Sequence, residues 1–317
     1  MKSNLNYPVL PFGSRTTWRE FLLAAIISVA YLFLSFVLIG FKSDQLVLVI
    51  IFSTLYLASS TTRKFIQGFS IFIVFWILFD YMKAFPNYLF NDVHIKSLYD
   101  AEIYFFGIGQ DGMRLTPNEY LNQHSFVLAD VLAGIFYLCW IPVPLGFATF
   151  LYFKDRRQFI QFSLTFLLVN LLGFIVYYIY PVAPPWYVQQ YGFDFQAATS
   201  GNTAGLIRFD RFFNLTIFQS LYSKSSNVFA AMPSLHSAYP LIVSYFGFKN
   251  KLGWVNIVFV IISIGIWMAA VYTSHHYVLD VVAGITIAGL GITLFFALLR
   301  RSNAFQVFIN RYVTMIS

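Results

Sequence analysis

Apolar runs about as long as a bilayer is thick recur from one end of this chain to the other. They fall at about residues 21–41, 46–60, 66–83, 127–153, 159–180, 233–248, 254–274 and 279–299. A helix rises ~1.5 Å per residue, so about 20 apolar residues cross ~30 Å of hydrocarbon. In hydrocarbon the backbone has no water to bond, and a helix satisfies its own polar groups. The expected fold is therefore all-α: a polytopic membrane helical bundle of about eight transmembrane helices (six to eight). The second and sixth runs are short and could be tilted, buried or partly interfacial. Only 10% of residues are charged and 59% are hydrophobic, far from the ~25% charge of soluble domains.

One integral membrane domain over residues 1–317 is expected, because the runs are spread evenly. The net charge of +7 does not indicate nucleic acid, since the basic residues sit in short turns between runs and form no patch or tail. Cys139 is the single cysteine, which excludes an internal disulfide and suggests a small packing residue. The first run is too long for a cleaved signal and reads as a retained helix. Residues 1–20, with Lys2, Arg15 and Arg19, are expected at the membrane surface.

Lys and Arg set the orientation. With the N-terminus inside, the inner segments hold 13 and the outer segments 7. The excess on short inner turns puts both termini in the cytoplasm. Two long segments then lie outside. Residues 84–126 read as an amphipathic cover at headgroup level. Residues 181–232 begin Pro181-Val182-Ala183-Pro184-Pro185-Trp186-Tyr187 and are too long for a plain connector.

Three of the five histidines lie between Met232 and Asp280. Pro233-Ser234-Leu235-His236-Ser237 opens this stretch, and Thr273-Ser274-His275-His276-Tyr277-Val278-Leu279-Asp280 closes it. His236 and His276 are 40 residues apart, one crossing out and one back, so both reach the outer edge. His276 and Asp280, four apart, would share a helix face. The carboxylate would hold one ring nitrogen as N–H and leave the other as a nucleophile or base. Ser234 or Ser237 would cap the helix carrying His236, and a helix N-terminus suits phosphate. His275 would be rotated ~100° from His276 and could touch a headgroup or simply sit at the interface. His94 and His124 read as surface residues, Asp80 and Lys83 as a structural pair, and Asp130 as a cap or headgroup contact. Bound metal is the weaker alternative, because phosphate transfer also accounts for Arg208 and the serines. A transporter would concentrate polar residues near the midplane, whereas these gather at one edge.

These motifs resemble the type 2 phosphatidic acid phosphatase superfamily, and within it the inositol phosphorylceramide synthase branch known from fungi and bacterial relatives. The likeness covers residues 181–280, a catalytic motif region that includes Ala183-Pro184-Pro185-Trp186-Tyr187 and Gly205-Leu206-Ile207-Arg208-Phe209-Asp210. Thr116-Pro117-Asn118-Glu119-Tyr120 followed by His124 is a fainter match upstream. The superfamily's Lys-x6-Arg-Pro motif is absent, Ala270 replaces the arginine usually six residues before the nucleophile, and Leu235 replaces a glycine. These departures argue against simple phosphomonoester hydrolysis and leave the synthase branch intact. A short C-terminal region points to a bacterial member.

The resemblance implies phosphatidylinositol as donor and ceramide or dihydroceramide as acceptor. It makes His276 the nucleophile, giving a phosphohistidine, His236 the acid and base, and Asp280 the residue that orients His276. Arg208 would bind the phosphoryl oxygens, helped by Lys224 or Arg211, with Ser234 and His275 nearby. No metal or other cofactor is expected. A lipid phosphate or pyrophosphate phosphatase using water is the alternative.

Overall fold

The computed structural model describes residues 16–197, 199–223 and 227–317. Lys2 and Arg15 of the basic N-terminal stretch lie outside them. The protein is an all-α integral membrane bundle. Among the described residues, six helices are long and apolar enough to cross a membrane: Trp18–Ile39, Ser60–Ala84, Val127–Lys154, Arg156–Ile179, Val255–Tyr272 and Val278–Arg301. The chain forms two compact units, Met1–Ser70 with Thr314–Ser317, and Ile71–Val313.

In the first unit, α1 (Trp18–Ile39) and α2 (Ser43–Ala58) pack together. The Thr17 side chain accepts from the Glu20 backbone, and the Glu20 carboxylate reaches back to the Thr17 N–H, a reciprocal cap. Glu20 also pairs with Arg63, whose Nε donates to the Tyr56 carbonyl at 2.9 Å. Arg63 lies on α3 (Ser60–Tyr81).

The second unit carries the motifs. The segment between α3 and Val127 holds α4 (Lys96–Phe106), a small antiparallel hairpin of β1 (Ile108–Gln110) and β2 (Met113–Leu115), and α5 (Pro117–Gln123). The run at 127–153 is broken. α6 (Val127–Leu138) stops before Cys139–Ile141, and α7 (Pro142–Lys154) restarts at a proline. Proline's missing N–H and fixed φ suit the first turn of a helix, so Pro142 marks a restart. α8 (Arg156–Ile179) follows, then α9 (Pro185–Tyr191), α10 (Ile207–Phe213) and α11 (Ile217–Tyr222).

The sixth run is α12 (Leu235–Lys249), only 15 residues, with Pro240 inside it and most of its side chains buried. It is the central helix of the unit, packed against α8, α13 (Val255–Tyr272) and α14 (Val278–Arg301). α15 (Asn303–Ile316) ends the chain. Backbones meet closely where side chains are missing, as small residues allow between membrane helices. A Cβ on Gly284 of α14 would stand 2.1 Å from the Ser234 carbonyl oxygen. A Cβ on Gly173 of α8 would meet Leu235 at 2.7 Å. The bulk of Leu235 thus fits a notch in α8 and anchors α12.

Candidate active site

The site forms where α12 and α14 begin. Ser234 caps α12, its side chain accepting from the Ser237 backbone at 3.3 Å and from the Ser237 hydroxyl at 3.0 Å. The backbone N–H of Ser234 donates to the Asp280 carbonyl at 2.9 Å. The starts of the two motif helices are therefore bonded to each other. Trp267 on α13 donates its indole N–H to the Ser237 carbonyl at 3.0 Å.

His276 is not on a helix. α14 starts at Val278 with Tyr277 as its N-cap, and Ser274 takes a left-handed φ of 59°. The expected shared helix face, and the ~100° rotation between His275 and His276, do not hold. The Ala270 carbonyl instead accepts from the backbone N–H of both His275 and His276, at 3.1 Å each, and the chain is turned by that double bond. The geometry still brings His276 Nδ1 to 3.6 Å from Asp280 Oδ2. Asp280 is fully buried, and its Oδ2 also accepts from the Tyr277 N–H at 2.8 Å. On its other side, His276 Nε2 lies 3.2 Å from His236 Nδ1. Two imidazoles thus meet nitrogen to nitrogen, with a carboxylate behind one of them.

His236 has further partners. The Tyr137 hydroxyl stands 3.2 Å from the same Nδ1. Trp140 meets the ring edge-on, with centroids 4.5 Å apart. His275 is buried beside Tyr222 and Tyr137, at ring distances of 4.5 and 5.4 Å. Its Nδ1 meets the Thr273 hydroxyl at 3.0 Å. Burial, with His276 adjacent, pushes its pKa down to about 3, so His275 is neutral at physiological pH.

Arg208 sits on α10 at the edge of this cluster. Its Nε pairs with Asp130 at 2.5 Å, and a second nitrogen donates to Asn122 at 3.0 Å. Asp130 also accepts from the Tyr272 hydroxyl at 2.8 Å. The remaining guanidinium nitrogen is buried and has no hydrogen-bond partner. Gly205, whose N–H donates to the Thr273 carbonyl, lets that nitrogen approach the histidine loop. A planar guanidinium with two nitrogens fixed offers the third in a set direction. Asp210 is fully buried and caps α11 at Phe218 and Gln219. Arg211 is exposed in the last turn of α10. Lys224 lies outside the described residues.

Two contributors had no role assigned from the sequence: Glu102 lies in no motif, and Asn118 lies in the fainter upstream match. Glu102 on α4 has no exposed surface and accepts from the Val278 and Leu279 N–H groups at 2.9 and 3.1 Å. It satisfies the open end of α14. Burial outweighs those two bonds and pushes its carboxyl up to about 7. Asn118 on α5 donates to the carbonyls of Val271 and His276, at 2.7 and 2.8 Å. The segment read as an amphipathic cover therefore clamps the histidine loop from both sides. The other polar residues behave simply. Asp80 pairs with Lys83, His94 stacks on Tyr180 with centroids 4.0 Å apart, and His124 on Tyr120 at 4.2 Å.

Comparison with known proteins follows the same residues. Residues 112–294 match the PAP2 superfamily. The chain is 43% identical over 300 residues to the phosphoinositol dihydroceramide synthase of Bacteroides thetaiotaomicron, covering 94% of this chain and 98% of that one. It is 26% identical over 279 residues to the inositol phosphorylceramide synthase of Candida albicans, covering 83% of this chain and 54% of that one. With the Saccharomyces cerevisiae inositol phosphorylceramide synthase catalytic subunit it shares 26% identity over 237 residues, covering 73% and 56%. The chain spans about half the length of these two fungal relatives. No solved structure matches it.

Proposed function

Because the chain belongs to the PAP2 superfamily, we propose that it transfers phosphoinositol from phosphatidylinositol to the primary hydroxyl of ceramide or dihydroceramide and releases diacylglycerol. The observation that carries this reading is the nitrogen-to-nitrogen meeting of His276 and His236, with Asp280 behind His276.

His276 Nε2 is the nucleophile, because its other nitrogen faces a carboxylate. It attacks phosphorus, and the bond from phosphorus to the diacylglycerol oxygen breaks. His236 gives that oxygen its proton. The ceramide hydroxyl then attacks phosphorus, His236 takes the hydroxyl proton, and the N–P bond breaks. Atoms and protons balance over the two steps, and both histidines return to their starting state. Nitrogens 3.2 Å apart leave no room between them, so the rings part as the phosphoryl group enters. Asp280, 3.6 Å from His276 Nδ1, is just beyond hydrogen-bond reach. It closes as His276 gains positive charge, a tightening common in catalytic contacts. The unpartnered nitrogen of Arg208 is offered to a phosphoryl oxygen, where charge-assisted bonds are strongest. Acid–base help of this kind contributes roughly 10²–10⁴-fold, and holding the acceptor in place contributes several kcal/mol more.

Both termini are cytoplasmic in this reading, and the histidines face the periplasm or an organelle lumen. The excess of basic residues on inner turns supports that orientation. Purified protein given labelled phosphatidylinositol, with and without ceramide, tests the function by mass spectrometry of the products. Ceramide should speed donor loss and appear as inositol phosphorylceramide. Free inositol phosphate as the main product, unaffected by ceramide, would make the enzyme a hydrolase.

A further inference from the structure

The residue that holds His236 stands just ahead of a break between two helices. Tyr137 lies at the end of α6 and has no exposed surface. Its hydroxyl is 3.2 Å from His236 Nδ1, the nitrogen that also faces His276. Behind it, the Tyr222 hydroxyl donates to the Tyr137 oxygen at 3.1 Å. Tyr222 is held there by α11, whose first turn is capped by buried Asp210. Just past the end of α6, Trp140 closes on the other side of the His236 ring.

A buried phenol with a second phenol behind it is costly unless both are bonded. A hydrophobic residue would fill the space without that cost. We propose that Tyr137 is the positioning residue for the acid–base histidine, with Tyr222 orienting it. This rests on the function proposed above. The chemical reason is that His236 must serve in two protonation states. Its Nδ1 carries a proton when it acts as acid and a lone pair when it acts as base. A phenol hydroxyl can accept from the first and donate to the second. Tyr137 therefore holds the Nδ1 edge of the ring in either protonation state between proton transfers and yields that bond to the substrate oxygen at each transfer, which a carbonyl or an ammonium could not do. Tyr137 and Trp140, three residues apart, present the phenol and the indole from one short stretch at the end of α6.

The test compares two donors. Phosphatidylinositol has an alkoxide leaving group that needs an acid. A para-nitrophenyl phosphodiester of inositol has a leaving group that needs none. Tyr137→Phe should lower kcat on phosphatidylinositol by about 10–100-fold, a part of the whole acid–base effect, with KM nearly unchanged. On the nitrophenyl donor the first-turnover release of nitrophenol, which reads phosphoenzyme formation without the later base step, should slow by under about 3-fold. Tyr222→Phe, a milder change, should show the same selectivity at about 2–10-fold, and it carries the test if Tyr137→Phe does not fold. Equal loss on both donors, or no loss on phosphatidylinositol, overturns the inference. His236→Ala is run alongside. If it shows no donor selectivity, the acid–base role of His236 itself is wrong. If it does and the tyrosine variants do not, only the positioning role fails.

Discussion

Gly284→Ala adds one methyl group to α14 and should nearly silence the enzyme. The new Cβ would stand 2.1 Å from the Ser234 carbonyl oxygen, 3.0 Å from the Ser234 carbonyl carbon and 3.3 Å from the Ser237 Cβ. The two nearest of these are backbone atoms, so no side chain can swing aside. Restoring ordinary contact moves the start of α12 away from α14 by about 1 Å, and overpacking of this kind costs roughly 1–3 kcal/mol. The Ser234 N–H to Asp280 bond, now 2.9 Å, stretches with it. His236 follows two residues on, and its 3.2 Å contact with His276 opens. Displacement on this scale costs about 10²-fold in rate. Turnover of phosphatidylinositol and ceramide in detergent gives the rate, and a thermal melt confirms folding. Gly289→Ala is the matched control, because a Cβ there meets nothing within 4 Å. If Gly284→Ala turns over as fast as Gly289→Ala, close approach of the two helix starts is not what sets the site.

His276→Ala, His236→Ala and Asp280→Asn should each abolish turnover in folded protein, and acid-labile phosphoenzyme should be missing from His276→Ala; near-normal activity in that variant counts against the nucleophile. Glu102 titrates near 7 against an ordinary value of 4.5, so the folded protein holds that proton more tightly than the unfolded chain. Its contribution to stability is complete below about pH 4.5 and is lost as pH rises through about 7. Glu102→Gln should flatten the dependence of melting temperature on pH across that window, and an unchanged slope would show that another group titrates. A cysteine placed in the Lys249–Lys251 turn should resist an impermeant thiol reagent in intact cells while one at Gly201 reacts, and the reverse pattern would invert the proposed topology.

The hairpin distance between His236 and His276 was legible because it depends only on helix rise and bilayer thickness. Ser234 was legible as a cap because the signal is local: a serine before an apolar run. Asp280 was found by spacing, although the assumed helix does not reach His276. The error came from treating the segment as regular. The turn is made by the Ala270 carbonyl, and backbone acceptors leave no trace in side-chain pattern. Tyr137 and Trp140 were hidden inside an apolar run, where an aromatic reads as core. Pro142 and Pro144 were the available sign of a break there. Asn118 stood in the fainter upstream match but its role was not legible there, and Glu102 gave no sign, since a carboxylate in a loop looks solvated until its distant partners are known.

The clamp by Glu102 and Asn118 also orders events during synthesis. Glu102 waits for N–H groups 176 and 177 residues later in the chain, and Asn118 for carbonyls 153 and 158 residues later. Until α13 and α14 have emerged, these side chains have none of the partners that make their burial tolerable. The segment from α4 to α5 must therefore stay wet, or only loosely folded, while most of the bundle is inserted. Seating of the last long helix then does two things in one event: it completes the reactive pair and dries the earlier loop. A nascent or truncated chain holding His236 alone would have neither the proposed nucleophile nor the folded wall around it.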